Sequence, residues 1–334
     1  MARSRRKVRD GEQEADGSKK AVIAAMGANL AIAVTKLVAA VFTGSSSMLA
    51  EGFHSIIDTA NEGFLLIGLK RAKKPADEKH PFGYGSEVYF WSFLVAIIIF
   101  ALGAGFSIFE GVEGLIAGES ESINSPLVAL GVLALSFCFE GYSWSVAFRE
   151  FQDRRRGNGL LRDFRDMKDP SIFVVLFEDS AACLGILIAA AGVGLAWGTG
   201  IPAFDAIGSI LIGVLLGVTA VLLAIEVKGL LIGEAAGPEM EERIRDRIAD
   251  QPEIIGVNEL RTLHLGPSDV LLTMSLDFRD DVVSQRIETI VTEIERRVRD
   301  AFPIVRRVFV EVQSQQGHQA LAGGAGSSEA TASA

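Results

Sequence analysis

The chain has few of the residue types from which compact metal and redox centres are usually built. Its 334 residues include two cysteines and four histidines. Cys138 and Cys183 lie far apart inside apolar runs, which excludes a disulfide framework and a Cys-x-x-Cys metal motif. We expect both to pack in the core or between helices. The HExxH and GxSxG signatures are also absent, and with them the usual sequence evidence for a metallohydrolase or a serine hydrolase.

Basic residues are outnumbered by acidic ones, 32 Lys and Arg against 42 Asp and Glu. The formal net charge is −10 and no basic surface large enough for phosphate contacts is evident, so nucleic acid is not expected as a partner. Apolar residues, in contrast, make up 49% of the chain, and the mean hydropathy is +0.33. Charged residues are rare inside long apolar runs and dense in the last third, which indicates a membrane-embedded part and a soluble, acidic part.

Six apolar segments predict transmembrane helices, because each is near or above the roughly 20 residues that cross a bilayer. They are residues 21–43, 45–69, 88–117, 126–148, 171–197 and 203–227. The first of them is too long for the apolar core of a signal peptide, so it is predicted to be a span.

The connections between these segments alternate in charge. The short Gly/Ser-type turns contain no Lys or Arg, whereas the N-terminal tail and the loops at 70–79 and 149–168 are basic. Basic loops stay in the cytoplasm. The alternation therefore predicts six spans with both termini inside, since the buried helices of a large soluble protein would not sort their basic residues in this way.

The second span, residues 45–69, carries ionisable side chains in its interior. Such groups are costly in a membrane and usually face a cavity or a partner. His54 and Asp58 are four residues apart, which places them on one face of a helix. Such a pair can hold a divalent cation or pass a proton. Alternatively, it is a buried hydrogen bond that only fastens two helices together.

The fifth span contains two adjacent carboxylates, Glu178 and Asp179. They would not remain ionised in hydrocarbon without a cation or a hydrogen-bond donor. The simplest way to satisfy His54, Asp58 and Asp179 together is one shared site between the second and fifth spans. One imidazole nitrogen and several carboxylate oxygens suit Zn²⁺, and they also admit Mn²⁺, Fe²⁺ or Co²⁺.

Beyond residue 230 the pattern is that of a small soluble domain. Helical periodicity and strand alternation give the order α-β-β-α-β, with helices over 239–250 and 283–301 and strands over 253–263, 270–278 and 305–312. This order predicts a small α+β sandwich. A domain of about 75 residues has a small hydrophobic core, so dimerisation is expected to stabilise it.

Together these features resemble the cation diffusion facilitator family. Six spans, the His54-x-x-x-Asp58 pattern, the acidic pair of the fifth span and the compact tail match the family over residues 20–313. The motif KHPFGYG at residues 79–85 resembles the family's loop after the second span. The resemblance implies a homodimeric antiporter that expels divalent metal, zinc foremost, in exchange for protons.

The resemblance also sets the expected architecture, which is an all-α six-helix transmembrane bundle followed by a C-terminal cytoplasmic α+β domain of ferredoxin-like fold. The expected divisions are a cytoplasmic tail over 1–20, a transmembrane domain over 21–230, a cytoplasmic dimerisation domain over 231–313 and a disordered tail over 314–334. The cytoplasmic domain offers His264 but few other residues for the regulatory metal site often found in this family, so no such site is expected.

The chain departs from the family's pattern in the fifth span. The family's site takes two residues four apart from each of the second and fifth spans. With Asp179 as the second of the fifth-span pair, the first falls on Val175, which cannot bind metal. The expected ligands are therefore His54, Asp58 and Asp179, with Glu178 or a water as the fourth.

The function expected from the sequence is efflux of a divalent cation by alternating access, with no catalytic residues and no resident cofactor. Val175 leaves open a transport-inactive membrane metal sensor or scaffold, and a membrane metallohydrolase is a further alternative. Because protons compete with metal for these side chains, metal affinity is predicted to decrease as the pH drops below about 6. The short chain and the lack of a transit-type leader favour a bacterial inner membrane.

Overall fold

The computed structural model describes residues 26–27, 29–116, 125–154 and 170–321. The chain divides into two compact units. The first consists of Met1–Lys70 and Val88–Lys228, and the second of Arg71–Glu87 and Gly229–Ala334. The predicted tail over 1–20 and most of the predicted basic loop over 149–168 lie outside the described residues.

The first unit is helical. Its helices are α1 (Asn29–Thr43), α2 (Ser46–Ala72), α3 (Glu87–Ile116), α4 (Pro126–Arg154), α5 (Pro170–Thr199) and α6 (Ala203–Ile232). Among the described residues, α3 to α6 are long and apolar enough to cross a membrane, with mean hydropathies between 1.5 and 2.7. These four helices confirm the predicted membrane-type helical domain. In contrast, α1 is a shorter apolar helix, and α2, although 27 residues long, carries several ionisable side chains.

Two of the predicted Gly/Ser-type turns are built on glycines with positive φ. Gly44 has φ 68° and ends α1, and Gly200 has φ 72° and ends α5. Each donates its backbone N–H to the carbonyl four residues earlier, at 2.8 and 2.9 Å. Glycine suits this position because it has no Cβ to clash in the left-handed conformation. The next helix begins within three residues in both cases.

The N-terminus of α2 is tied to α6 by a buried carboxylate. Asp205, in the first turn of α6, accepts a hydrogen bond of 2.9 Å from the Ser45 hydroxyl and another from the Ser47 hydroxyl. Carboxylates at a helix N-terminus satisfy free backbone donors and complement the helix dipole. This contact fixes the start of the helix that carries the predicted metal ligands.

The middle of α3 departs from α-helical geometry. Ile99–Ala104 form a π-helical segment between the α-helical parts Glu87–Ile98 and Gly105–Ile116. Farther along, α3 and α6 approach closely, because Gly111 has no side chain to collide with the Ala206 carbonyl oxygen. The Ser209 hydroxyl donates a 2.8 Å hydrogen bond to the Ser107 carbonyl and holds the same two helices together.

The second unit contains a small α/β sheet in the predicted element order. Its elements are α7 (Pro238–Ala249), β1 (Ile254–Gly266), β2 (Asp269–Phe278), α8 (Ser284–Ala301) and β3 (Val305–Val312). The sheet order is β1-β2-β3, with β1 antiparallel and β3 parallel to β2. The core joins the inward side chains of α7 and α8 to those of the sheet, among them Ile244, Ile294 and Leu272, all of which are buried.

The loop Arg71–Glu87, which sequence analysis assigned to the transmembrane domain, belongs to the second unit. The Arg307 guanidinium donates two hydrogen bonds of 2.7 Å to Asp269 and one of 2.8 Å to the Phe82 carbonyl. The Ser86 hydroxyl bonds the Leu265 carbonyl at 3.1 Å. Gly85 lies so close to Leu265 and Gly266 that a Cβ there would strike the Leu265 carbonyl. The loop motif is therefore packed against the β1–β2 turn and β3.

Two predictions about individual segments differ from the structure. Residues 315–321, within the predicted disordered tail, form a short helix, and the His318 Nδ1 lies 3.2 Å from Gln313 Oε1. Cys138 is exposed on α4 rather than packed in the core, whereas Cys183 is half-buried. Residues 322–334 lie outside the described part of the chain.

Candidate metal-binding site

Helix α2 presents a row of polar side chains on one face. His54, Asp58 and Asn61 follow one another at spacings of four and three residues, which is one face of a helix. His54 and Asn61 are buried, at 1% and 0% exposure, and the Asp58 side chain is 16% exposed. The row therefore faces the interior of the helical unit.

The predicted His54–Asp58 pair is close but not hydrogen-bonded. His54 Nδ1 lies 3.4 Å from Asp58 Oδ1, within ion-pair distance but without hydrogen-bond alignment. Among the described residues, neither ring nitrogen of His54 has a hydrogen-bond partner, and Asp58 Oδ1 has none either. Buried polar atoms are nearly always bonded. The reading of this pair as a simple helix-fastening hydrogen bond therefore finds no support in its geometry.

The two carboxylates of α5 diverge, as expected for neighbours about 100° apart around a helix. Glu178, which is 5% exposed, accepts a 2.8 Å hydrogen bond from the side-chain amide of Asn61 on α2. Asp179 accepts a 2.8 Å hydrogen bond from the Ser143 hydroxyl on α4. The acidic pair thus connects α5 to two different helices.

Three of the four predicted ligands nevertheless line one small cavity. Its volume of about 20 Å³ is room for one water-sized particle. It is lined by Asn29, Ser55, Asp58, Glu62, Glu140, Val175, Glu178 and Asp179. His54 does not line it but adjoins it through Asp58. Val175 supplies an apolar wall one turn before Asp179, where the family's pattern would have a ligand.

The side chains are not arranged as a finished coordination shell. Within the described ranges, no group of three or more His, Cys, Asp or Glu side chains converges closely enough to hold a metal ion as it stands. The predicted set of His54, Asp58, Asp179 and Glu178 would have to move inward to close on a cation.

Sequence reasoning did not commit to two carboxylates that line the cavity, Glu62 and Glu140. Glu62 follows Asp58 by four residues, so helical spacing alone could have placed it on the same face. It accepts a 2.7 Å hydrogen bond from the Asn29 amide, and its other oxygen has no partner among the described atoms. Glu140 is a carboxylate inside the predicted fourth span, and the sequence left a helix-packing hydrogen bond and a role in a transport pathway equally open for it.

Five carboxylates around one small buried cavity make a strongly acidic environment. Charges in a low-dielectric interior must be paired or neutralised, so these side chains call for bound protons or a cation. Carboxylate oxygens with one nearby imidazole form a donor set suited to divalent metals of the first transition series and zinc. The donor atoms around the cavity are therefore of the kind that can take up protons or a divalent cation.

Comparison with known proteins identifies the family of the chain. The family description "Cation efflux transmembrane domain" matches residues 22–232, and "Cation efflux protein, cytoplasmic domain" matches residues 236–315. The chain belongs to the cation efflux family. This confirms the family expected from the sequence.

Relatives of the chain include a zinc antiporter, a metal tolerance protein and a magnetosome protein. The mitochondrial proton-coupled zinc antiporter of Homo sapiens is 34% identical over 271 residues, which cover 80% of this chain and 47% of the relative. A metal tolerance protein of Arabidopsis thaliana is 32% identical over 270 residues, 80% of this chain and 59% of the relative. The magnetosome protein MamB of Paramagnetospirillum magneticum is 26% identical over 289 residues, 85% of this chain and 90% of the relative. The chain spans about half the length of the human relative.

Proposed function

We propose that this cation efflux protein moves a divalent cation out of the cytoplasm in exchange for protons, and that Zn²⁺ is the preferred cation. The observation that carries the proposal is the cavity that Asp58 of α2 shares with Glu178 and Asp179 of α5. The names of the human and plant relatives, which refer to zinc antiport and metal tolerance, support it.

In the proposed mechanism, a hydrated cation from the cytoplasm exchanges its water for side-chain ligands. Asp58 and Asp179 supply negative charge, His54 supplies a nitrogen, and Glu178 or a water completes the set. The site between helices α2 and α5 then opens to the outer side of the membrane. Protons taken up by the same side chains oppose metal binding and release the cation, which couples the two movements.

The proposal includes the arrangement of the chain in the membrane. We propose six spans with both termini in the cytoplasm of a bacterial cell, which the basic residues between the predicted spans favour. The segment 21–230 would form the transmembrane domain, and 231–313 a cytoplasmic, ferredoxin-like domain that makes the protein a homodimer. The match of residues 236–315 to the family's cytoplasmic domain supports this division. No enzymatic activity and no resident cofactor are proposed, because the family is one of transporters.

Metal flux into proteoliposomes under a pH gradient tests the function. Zn²⁺, Mn²⁺, Fe²⁺ and Co²⁺ would be compared, with the wild type beside Asp58→Ala and Asp179→Ala. Glu113→Gln is the matched control, because this carboxylate lies exposed on α3 and does not line the cavity. We expect flux of one or two metals, zinc first, which both alanine variants abolish and the control retains.

Other outcomes would change the proposal. Metal binding without flux in the wild type would favour the sensor or scaffold that Val175 suggests. Flux that survives in Asp179→Ala would remove Asp179 from the ligand set and leave Glu178 as the ligand from α5.

A further inference from the structure

A second polar cluster lies beside the cavity and joins three helices. It consists of Lys36 on α1, Glu51 and Ser55 on α2, and Glu140 on α4. Lys36 and Glu51 are both 0% exposed. A lysine is almost never fully buried unless it is paired, so the partners of Lys36 indicate what the cluster does.

The Lys36 ammonium donates two hydrogen bonds and lies near a third acceptor without bonding it. It donates hydrogen bonds to the Ser55 hydroxyl at 2.8 Å and to Glu51 Oε2 at 3.1 Å. An ammonium has three donors, and the third faces Glu140 Oε1 at 3.9 Å. That distance is too long for a hydrogen bond. Lys36 therefore attracts Glu140 without fixing it.

The Lys36–Glu51 pair is enclosed by the packing of α5. The Glu51 carboxylate lies against Gly185, where any Cβ would collide with Glu51 Oε1. Glu51 does not line the cavity, whereas Ser55 and Glu140 do. The cluster thus has a closed side, the Lys36–Glu51 pair, and a side that faces the cavity.

The charge balance leaves Glu140 available to a cation. Glu51 already neutralises Lys36 at hydrogen-bond distance, so the more distant Glu140 shares only part of the same positive charge. Glu140 is 7% exposed and lines the cavity together with Asp58 and Asp179. A divalent cation that enters the cavity would therefore be attracted to this buried carboxylate, whose charge Lys36 neutralises only in part.

We propose that Glu140 is a further ligand of the transported divalent cation, and that Lys36 is a positioning residue that holds Glu140 at the cavity wall through an attraction weak enough for the cation to displace. This inference rests on the proposed function for the identity of its ligand. It extends the site from α2 and α5 to α4, and it adds a carboxylate to a donor set in which oxygen already outnumbers nitrogen, which suits divalent metals that accept oxygen ligands.

The competing interpretation is that Glu140 serves only as a second counter-ion for Lys36. A double-mutant cycle separates the two interpretations. Lys36→Met with Glu51→Gln replaces the enclosed ion pair by neutral side chains and leaves Glu140 in place. Glu140→Gln is then introduced into this background and into the wild type. A ligand loses the same affinity in both backgrounds, whereas a counter-ion matters only where Lys36 is present.

The measurement is Zn²⁺ affinity of the full chain in detergent by isothermal titration calorimetry, with the unfolding temperature of each zinc-free variant recorded beside it. We expect Glu140→Gln to weaken zinc binding about tenfold or more, the lower end of the loss when groups that support a bound metal are removed. The same factor should appear in the Lys36→Met/Glu51→Gln background. Glu113→Gln is again the control and should bind as the wild type does.

Two results would overturn the inference. The first is a Glu140→Gln variant that binds zinc like the wild type but unfolds at a lower temperature, which is the signature of a structural ion pair. The second is a loss of affinity confined to the background that contains Lys36. If the double background does not fold, the comparison of affinity with unfolding temperature in Glu140→Gln alone still decides. Zinc binding with no flux in wild-type vesicles would instead refute the transport function and leave the ligand assignment standing.

Discussion

At the residue scale, the candidate site includes side chains that position the proposed ligands as well as the proposed ligands themselves. Asn61 donates to Glu178 and Ser143 donates to Asp179, each at 2.8 Å. Donors of this kind orient metal ligands, and their removal typically reduces metal affinity by about 10- to 100-fold. They cannot be predicted from the sequence, because each hydrogen bond joins two helices whose packing no local pattern reveals.

Ser143 offers a direct test of this dependence. We expect Ser143→Ala to weaken zinc binding by about 10- to 100-fold, since Asp179 loses its donor and is no longer held toward the cavity. Ser145→Ala is the matched control on the same helix, because among the described residues the Ser145 hydroxyl bonds only the Gly141 carbonyl of its own helix, at 2.7 Å. Equal zinc affinity in the two variants, measured by calorimetry, would show that Asp179 does not need this contact.

Asp77 organises the loop Arg71–Glu87 through several donors. Its carboxylate accepts hydrogen bonds from the Tyr84 hydroxyl at 2.7 Å, the Lys74 ammonium at 3.0 Å and the His80 backbone N–H at 2.8 Å. These hydrogen bonds, that of Tyr84 foremost, hold the pKa of Asp77 well below its usual range. The folded loop therefore favours the ionised carboxylate.

The lowered pKa of Asp77 fixes the sign of a pH effect on the loop. A depressed pKa contributes stability in full above the ordinary aspartate value of about 4, and this is lost only as the pH falls through the lower folded value. We expect amide exchange protection of residues 79–84, corrected for intrinsic rates, to stay constant from about pH 8 to about pH 5, a window above that ordinary value.

The matching substitution is Asp77→Asn at neutral pH, which should speed exchange in the loop several-fold. The neighbouring Glu78→Gln, an exposed side chain, should leave it unchanged. Protection that declines steadily between pH 8 and pH 5 in the wild type would contradict this account of Asp77.

At the scale of elements, the sequence predicted the helices and strands well where one local period dominates. The second unit has α7, β1, β2, α8 and β3 in the predicted order. The i, i+4 spacing of His54 and Asp58 likewise placed both on the inward face of α2. What the sequence could not predict are contacts between distant segments, such as Lys36 with Glu51 or Arg307 with Phe82.

The close approach of α2 and α5 makes a prediction about Gly185. Gly185→Ala would place a Cβ against the Glu51 carboxylate. Because Glu51 is fully buried and bonded by Lys36 at 3.1 Å, it cannot move aside freely, and overpacking of this kind typically costs about 1–3 kcal/mol of unfolding free energy. Gly194→Ala, on the same helix, is the matched control, because no atom in the described part of the chain lies within 4 Å of its added Cβ. Denaturation of both variants in detergent checks the prediction, which fails if they are equally stable.

Arg307 on β3 bonds the loop Arg71–Glu87 through the Phe82 carbonyl. We expect Arg307→Ala to accelerate amide exchange in this loop at least about tenfold, because charge-assisted hydrogen bonds contribute about 1.5–3 kcal/mol. Arg306→Ala removes an exposed neighbour on the same strand and should have no such effect. Unchanged protection of the loop in Arg307→Ala would mean that Ser86 and the packing at Gly85 hold it without the guanidinium.

At the scale of the whole molecule, one chain combines a membrane-type helical unit with a small α/β unit, and the loop between α2 and α3 is counted with the second. This loop continues directly from the helix that carries His54 and Asp58. Composition predicted the two parts, since charge and apolar runs are separated along the chain. It gave no indication that a loop of the first part would pack on the second.

The central claim is that one buried set of side chains binds a divalent cation and protons in turn. The most direct test is the number of protons released per Zn²⁺ bound by the full chain, obtained from titration calorimetry in buffers of different ionisation enthalpy at neutral pH. Because buried carboxylates must be protonated or paired in the absence of metal, we predict a release of about one proton or more, reduced in Asp58→Asn. Zinc binding that releases no protons would contradict the account.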